Sequence, residues 1–375
     1  MNSPESHTDH PQQELISDLK PGRVIWPILI GVAVLAYALW QVVRENFNPI
    51  TDITWTTQVF LWIGLGFFCM MLRDIGYIWR MRLLTDKKLG WRAAFEVTML
   101  WEFSSAITPS VVGGSVVAIF MLARERITYG RSLAIVFLTI FLDELFYILI
   151  LPAVLLVIGA GDLFSTLNGV AGASFFESGL IASFWIAYGI LVGYTVFLGF
   201  ALFIWPQGAA RLIRAIVKTR LFRRWQQAGF TMAEELLIAS RELRSRDFMF
   251  WLKAGLATLF AWMGRYLVLN CVLAAFTMLT AYEHVVAFGR QALLFVVMLI
   301  SPSPGSSGVA EVGFSELFKE FSPVIPIYLL AVIWRLISYY PYLFVGAFIL
   351  PRWLQRVSRK KPHPVPHPDP SHPQP

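Results

Sequence analysis

Residues 301–311 read SPSPGSSGVAE, inside a stretch, 285–321, whose flanks are largely apolar. Two prolines, two glycines and four serines remove backbone donors and favour turns, so this segment cannot continue as one straight helix. A second apolar stretch, 93–122, is interrupted in the same way by TPSVVGGS at 108–115. What such breaks mean depends on the solvent around them.

That solvent is lipid. The chain has 375 residues, of which 57% are hydrophobic, 15% aromatic and 15% charged; mean hydropathy is +0.61. These values lie well outside soluble-domain averages. Apolar runs close to the roughly 20 residues that cross a bilayer occupy 24–43, 54–72, 132–158, 180–205, 248–279 and 325–350. The predicted fold is an all-α polytopic membrane protein with six full crossings plus two re-entrant broken-helix hairpins. The first run, preceded by Lys20 and Arg23, continues past a small-residue site at Ala36–Ala38 and reads as an uncleaved anchor.

Basic residues set the expected orientation, because short cytoplasmic loops retain Lys and Arg. Such residues cluster before the first run, between Arg73 and Arg92, at Arg124, Arg126 and Arg131, across 206–247 and in the tail. Segments 45–53 and 159–179 carry none. Threading the chain through these constraints puts both termini in the cytoplasm of a cell (plasma or inner) membrane. One hairpin then enters from each face. The order crossing, crossing, hairpin, crossing occurs over 24–158 and again, inverted, over 180–350, as in an inverted-topology repeat. A shift of 193 positions lays Thr108, Pro109 and Ser110 on Ser301, Pro302 and Ser303, and brings Arg73 within one position of Arg265 and Asp143 within one of Arg335.

The flanking pieces are a polar N-terminus (1–23), an extracytoplasmic loop (159–179) and a tail (351–375). Segment 206–247 mixes Arg211, Arg214, Lys218, Arg220, Arg223 and Arg224 with Leu212, Ile213, Ile216, Val217, Leu221 and Phe222. It reads as an amphipathic helix held on anionic lipid, which also explains the net charge of +7 without nucleic acid. The KKPHPVPHPDPSHPQP tail reads as extended chain rather than a metal site. Cys69 and Cys271 both lie in apolar runs, so neither a disulfide framework nor a thiol metal site is expected. No cofactor is expected.

Non-helical backbone at membrane depth is tolerated only where protein or a water-filled cavity satisfies its polar groups. Helix ends turned into such a cavity present free N–H groups suited to phosphate or carboxylate, so an anionic headgroup would fit. The candidate binding residues at the breaks are Thr108, Pro109, Ser110, Gly113, Gly114, Ser115, Ser301, Pro302, Ser303, Pro304, Gly305 and Gly308. For Gly113 and Gly114, simple close packing explains the sequence equally well. Asp143, Glu144, Arg265 and Arg335 fall inside apolar runs, where each costs about 2.5–3.5 kcal/mol if it faces lipid. A carboxylate of the first half is therefore expected to meet a guanidinium of the second, with Asp143 or Glu144 opposite Arg335; the pair could be structural or functional. Glu102 and Glu311 flank the breaks and could contact a cationic headgroup or carry a proton; Glu311 could instead cap its own helix. Arg73, Asp74, Arg80 and Arg82 read as snorkelling toward headgroups.

At this point the chain resembles a known family, the flippase-like, lysylphosphatidylglycerol-synthase transmembrane family, which includes the membrane half of multiple peptide resistance factors. WEFSSAITPSVVGGSVVAIFMLARERITYGRSLAIVFLTIFLDELF (101–146) is similar to the family's broken helix, basic turn and charged long helix. SPSPGSSGVAEVGFSELF (301–318) is similar to its Pro-x-Pro-Gly-x-x-Gly-x-x-Glu element. The resemblance implies movement of a polar lipid between leaflets, with Pro109, Gly113, Gly114, Pro302, Pro304, Gly305, Gly308 and Glu311 along the path. One departure is that 116–121 is wholly apolar and the next basic residue is Arg124, so headgroup preference could differ. Only residues 351–375 follow the last run, so the family's soluble synthase domain is not expected here.

The leading expectation is a lipid translocase without ATP coupling, since no Gly-x4-Gly-Lys motif occurs. Its partners would be a membrane phospholipid or another polar lipid. The alternatives are an intramembrane transferase acting on a polyprenyl-phosphate or phospholipid, with Asp143, Glu144 or Glu311 as base, and an accessory subunit of a lipid-modifying enzyme.

Overall fold

The computed structural model describes residues 21–108, 111–164, 175–219, 226–301, 303–322 and 325–358. Pro109, Ser110 and Pro302, the basic stretch 220–225, residues 1–20 and the tail from 359 lie outside the described residues. Regular structure among the described residues is helical throughout. The helices are α1 (Pro21–Arg44), α2 (Thr57–Leu84), α3 (Trp91–Ile107), α4 (Val111–Arg124), α5 (Tyr129–Leu163) and α6 (Phe175–Gly199). They continue with α7 (Pro206–Lys218), α8 (Gln226–Arg244), α9 (Phe248–Phe276), α10 (Ala281–Leu299), α11 (Val309–Phe318), α12 (Ile327–Ser338) and α13 (Tyr340–Ser358).

Among the described residues six helical segments are long and apolar enough to cross a membrane. Five coincide with expected crossings. The sixth is α10, the first arm of the second broken stretch. Its 19 residues reach nearly 30 Å at 1.5 Å per residue, so the break at 300–308 lies at the end of a full-length helix rather than midway. The arms of the first break, α3 and α4, have 17 and 14 residues, and α11 has 10. The expected first crossing is α1, of 24 residues.

Two expected boundaries move. The run 132–158 continues to Leu163 across a kink at Gly159, whose φ of 78° suits a residue without Cβ. The run 325–350 is two helices that meet at Tyr339. Pro341 has no N–H for the Ile337 carbonyl and its ring clashes with that turn, so one helix ends and the next begins with proline in its first turn.

α2 shows why lipid is the solvent. Phe60, Leu61, Phe67, Phe68, Met71 and Ile75 are exposed, whereas Arg73, Tyr77 and Arg80 are buried. Charge inside and hydrocarbon outside is stable only when the surroundings are apolar.

The buried face of α2 packs on α9 through small residues. A Cβ on Gly76 would lie 3.1 Å from the Ala257 carbonyl and from the Ala261 methyl, and one on Gly264 would lie 2.7 Å from the Cys69 carbonyl. Gly66 faces Val268 and Cys271. Residue numbers rise along α2 as they fall along α9, so the two helices run antiparallel. The 193-residue shift lays Met71 on Gly264, at the turn where they cross. Close backbone approach is the means by which helices associate in lipid. Gly264→Leu is expected to force α2 and α9 apart and lower the thermal midpoint of the detergent-purified protein by several degrees. Gly255→Leu, on the same helix with open space around its α-carbon, leaves the midpoint unchanged; equal effects would refute the close-packing account.

α7 and α8 pack on each other and reach the bundle through α5. The Gly130 N–H donates to Glu235 at 2.6 Å, and Asp86 pairs with both Arg131 and Arg246. Arg356 of α13 pairs with Glu96 and Glu125. At another place Arg290, 1% exposed, pairs with Glu320 and donates to the Asp162 carbonyl at 2.7 Å.

Candidate functional site

Both breaks open on one cavity of about 300 Å³. Thr108 and Ser115 line it from the first break; Ser301, Ser303, Gly305 and Ser306 line it from the second. The breaks also touch. The Tyr339 hydroxyl donates to the Ala106 carbonyl at 3.1 Å, and Gly305 sits against the Tyr339 ring, where a Cβ would come within 2.4 Å. With φ of +56°, Gly305 needs glycine on both counts. Serine side chains satisfy the opened backbone: Ser303 donates to the Ser307 carbonyl at 2.8 Å and Ser306 to that of Met298 at 2.9 Å.

Charged side chains supply the walls. Arg80 donates both terminal nitrogens to Asp143, at 2.5 and 2.9 Å, and the Trp262 indole donates to the same carboxylate at 2.8 Å. Arg73, fully buried, lies 2.6 Å from Glu102 and 2.9 Å from Asp74, with Tyr77 and Tyr342 rings 4.6 and 4.8 Å from its guanidinium carbon. Arg335 donates to Glu311 at 2.9 Å and to the Gly305 carbonyl at 3.2 Å. Glu311 in turn accepts the Gly308 N–H at 2.6 Å, so it both caps α11 and pairs with arginine.

Arg265 is held differently. It lies 3.6 Å from Glu102, over the Trp262 and Phe295 rings, and forms no hydrogen bond among the described residues. Because Glu102 is closer to Arg73, the Arg265 guanidinium retains donors for the cavity.

The expected partnership of Asp143 with Arg335 does not occur. Asp143 joins Arg80 and Arg335 joins Glu311, each within its own half of the chain. The cause lies in α2, which continues to Leu84 instead of ending at Leu72 and so carries Arg73 and Arg80 into the interior rather than to the headgroups. A signal was present: Arg73, Tyr77 and Arg80, spaced by four and three, share one helix face. Gly114 packs on α3, where a Cβ would lie 2.1 Å from the Ser105 hydroxyl. Gly113 lies in the first turn of α4, Pro304 starts a short 3-10 turn and Gly308, with φ of 90°, is the N-cap of α11. Of the expected residues, Glu102, Thr108, Ser115, Asp143, Glu144, Arg265, Ser301, Ser303, Gly305 and Arg335 share the cavity. Tyr147, Trp262, Tyr266 and Gln291, which no local pattern singled out, complete it. Among the described residues no group of three His, Cys, Asp or Glu side chains could hold a metal ion.

Inward charge, outward hydrocarbon and a polar cavity between broken helices define a multi-pass helical membrane protein. The family model described as Lysylphosphatidylglycerol synthase TM region matches residues 25–346, and the chain belongs to that family. A UPF0104 membrane protein of Archaeoglobus fulgidus is 27% identical over 336 residues, covering 85% of this chain and 94% of that protein. No solved structure matches the chain.

Proposed function

We propose that this protein is a lipid translocase of a cell membrane, moving a polar or anionic headgroup between leaflets through the cavity while the acyl chains stay in lipid. The observation that carries this reading is that two helix breaks far apart in sequence converge on one cavity lined by ion pairs and by Arg265, whose guanidinium keeps donors for it. A volume of about 300 Å³ is at the lower end of ligand sites and suits a headgroup, not a whole lipid.

The two halves form an inverted-topology repeat. In support, a long helix, an interrupted pair and a second long element follow in the same order twice, and the matched helices α2 and α9 cross antiparallel at matched positions. Rocking of one half against the other about this crossing exposes the cavity to each leaflet in turn. The first break is a re-entrant tip, the second lies at the end of the full-length α10, and both termini lie in the cytoplasm. α7, with Leu212 and Ile216 exposed beside Arg211 and Lys218, rests on anionic lipid.

Arg265 binds the headgroup phosphate. A hydrogen bond to a charged group contributes about 1.5–3 kcal/mol, so Arg265→Gln slows exchange of anionic lipid about ten- to a hundredfold while leaving the folded protein intact. Leaflet exchange of fluorescent anionic, zwitterionic and lysyl-modified phospholipids in proteoliposomes tests both statements. Exchange by the wild type that depends on Arg265 supports them; wild-type exchange unaffected by Arg265→Gln refutes the assignment of Arg265. No exchange with any lipid refutes the translocase.

A further inference from the structure

Of the carboxylates lining the cavity, Glu102 and Asp143 each face arginine, whereas Glu144 has no cationic partner among the described residues. Its contact is with α6. Glu144 Oε2 and the Leu191 carbonyl oxygen both lie 2.8 Å from Thr195 Oγ1. Thr195 is buried. A hydroxyl has one hydrogen and a carbonyl oxygen can only accept. Threonine in a helix commonly donates to the carbonyl four residues back. Donated to Leu191, that hydrogen leaves Thr195 to accept from Glu144, and the hydrogen between them then belongs to the carboxyl group.

The geometry points to Glu144 as a proton-carrying site, held here as the neutral acid, through which proton movement drives headgroup translocation. This rests on the translocase reading and adds its coupling ion. Membrane-embedded carboxylates without a countercharge commonly serve as proton relays. The sequence had offered Glu102 and Glu311 for this role, but each is paired with an arginine.

The charged and titratable groups around Glu144 give the coupling. Asp143 on α5 opposes its ionisation, as does any anion on the cavity wall; Arg80 of α2 and Arg265 of α9 line the same cavity. Glu102 of α3 lies 3.6 Å from Arg265, and Tyr77 of α2 lines the same cavity. A headgroup phosphate on Arg265 adds a negative charge to the cavity that Glu144 shares and keeps Glu144 protonated, so proton and anion cross together. Where the cavity opens to the side of lower proton activity, the carboxyl O–H bond breaks, the proton passes to water and the electron pair stays on Glu144.

Two measurements on the reconstituted full chain test this. Infrared spectroscopy reads the carbonyl stretch of protonated carboxylic acids; the wild type is expected to show a deuterium-sensitive band that Glu144→Gln lacks. Glutamine can donate to Thr195 as the neutral acid does, so this variant is expected to fold. In the same vesicles, the steady-state leaflet distribution of a trace anionic fluorescent phospholipid is followed under an imposed pH gradient. One proton per headgroup shifts that distribution by up to about tenfold per pH unit, and Glu144→Gln removes the shift. A missing wild-type band, or one retained by Glu144→Gln, overturns the protonated state. Wild-type exchange indifferent to the gradient, or a gradient response in Glu144→Gln, overturns the coupling. Wild-type protein that exchanges no lipid overturns the translocase and the coupling together, and the band still decides whether Glu144 holds a proton.

Discussion

Arg335→Ala is expected to abolish headgroup movement and to destabilise the protein by about 3–5 kcal/mol, the cost of breaking a buried ion pair from one side. Arg335 is 5% exposed, and its loss leaves Glu311, 9% exposed, with the Gly308 N–H alone. It also removes the donor to the Gly305 carbonyl and the cation 4.8 Å from the Tyr339 ring. The contacts to Glu311 and Gly305 hold the second break against α12, so the cavity wall loosens where the two breaks meet. Thermal unfolding in detergent and proteoliposome exchange measure the two effects separately. Exchanging the charges, Glu311→Arg with Arg335→Glu, does not restore either, because arginine at 311 cannot accept the Gly308 N–H. Full rescue by the exchange would show that only the ion pair matters and that the cap contributes nothing.

Arg73→Ala is expected to cost a similar amount, for a different reason. Arg73 has no exposure and lies between Glu102 and Asp74, stacked between the Tyr77 and Tyr342 rings. Removing it brings two carboxylates together with only the Tyr342 hydroxyl, which donates to Asp74 at 2.7 Å, and the more distant Arg265 to offset them. Neutralising one carboxylate relieves the problem. The double variant Arg73→Ala with Glu102→Gln is therefore more stable than the sum of the single losses predicts, by about 2–3 kcal/mol, at the upper end of couplings between contacting residues. Additive losses would show that Glu102 is held by Arg265 and not by Arg73.

The broken segments were legible because proline, glycine and serine in an apolar run are local signals. TPSVV and SPSPGSSG interrupt α3 from α4 and α10 from α11 as their composition requires. The length of α10 was less legible, since the apolar run 285–299 gives no sign that the helix begins at Ala281 behind a Thr280–Glu283 capping box. Arg73 and Arg80 were misplaced for a related reason. A hydropathy run ends at the first arginine, but a helix ends only where its backbone does, and α2 continues for three further turns to Thr85.

By itself the sequence determined the solvent, the helical class, the apolar segments and the two places where helices must break. These follow from transfer free energy and backbone chemistry, which act within one segment. Only the tertiary structure decided that both breaks face one cavity, that Asp143 takes Arg80 while Arg335 takes Glu311, and that Glu144 is left with Thr195. Such partnerships depend on which helix faces meet. That is set by close approach of small residues such as Gly76 and Gly264 across 178 or more positions of chain, a distance over which no local pattern carries information.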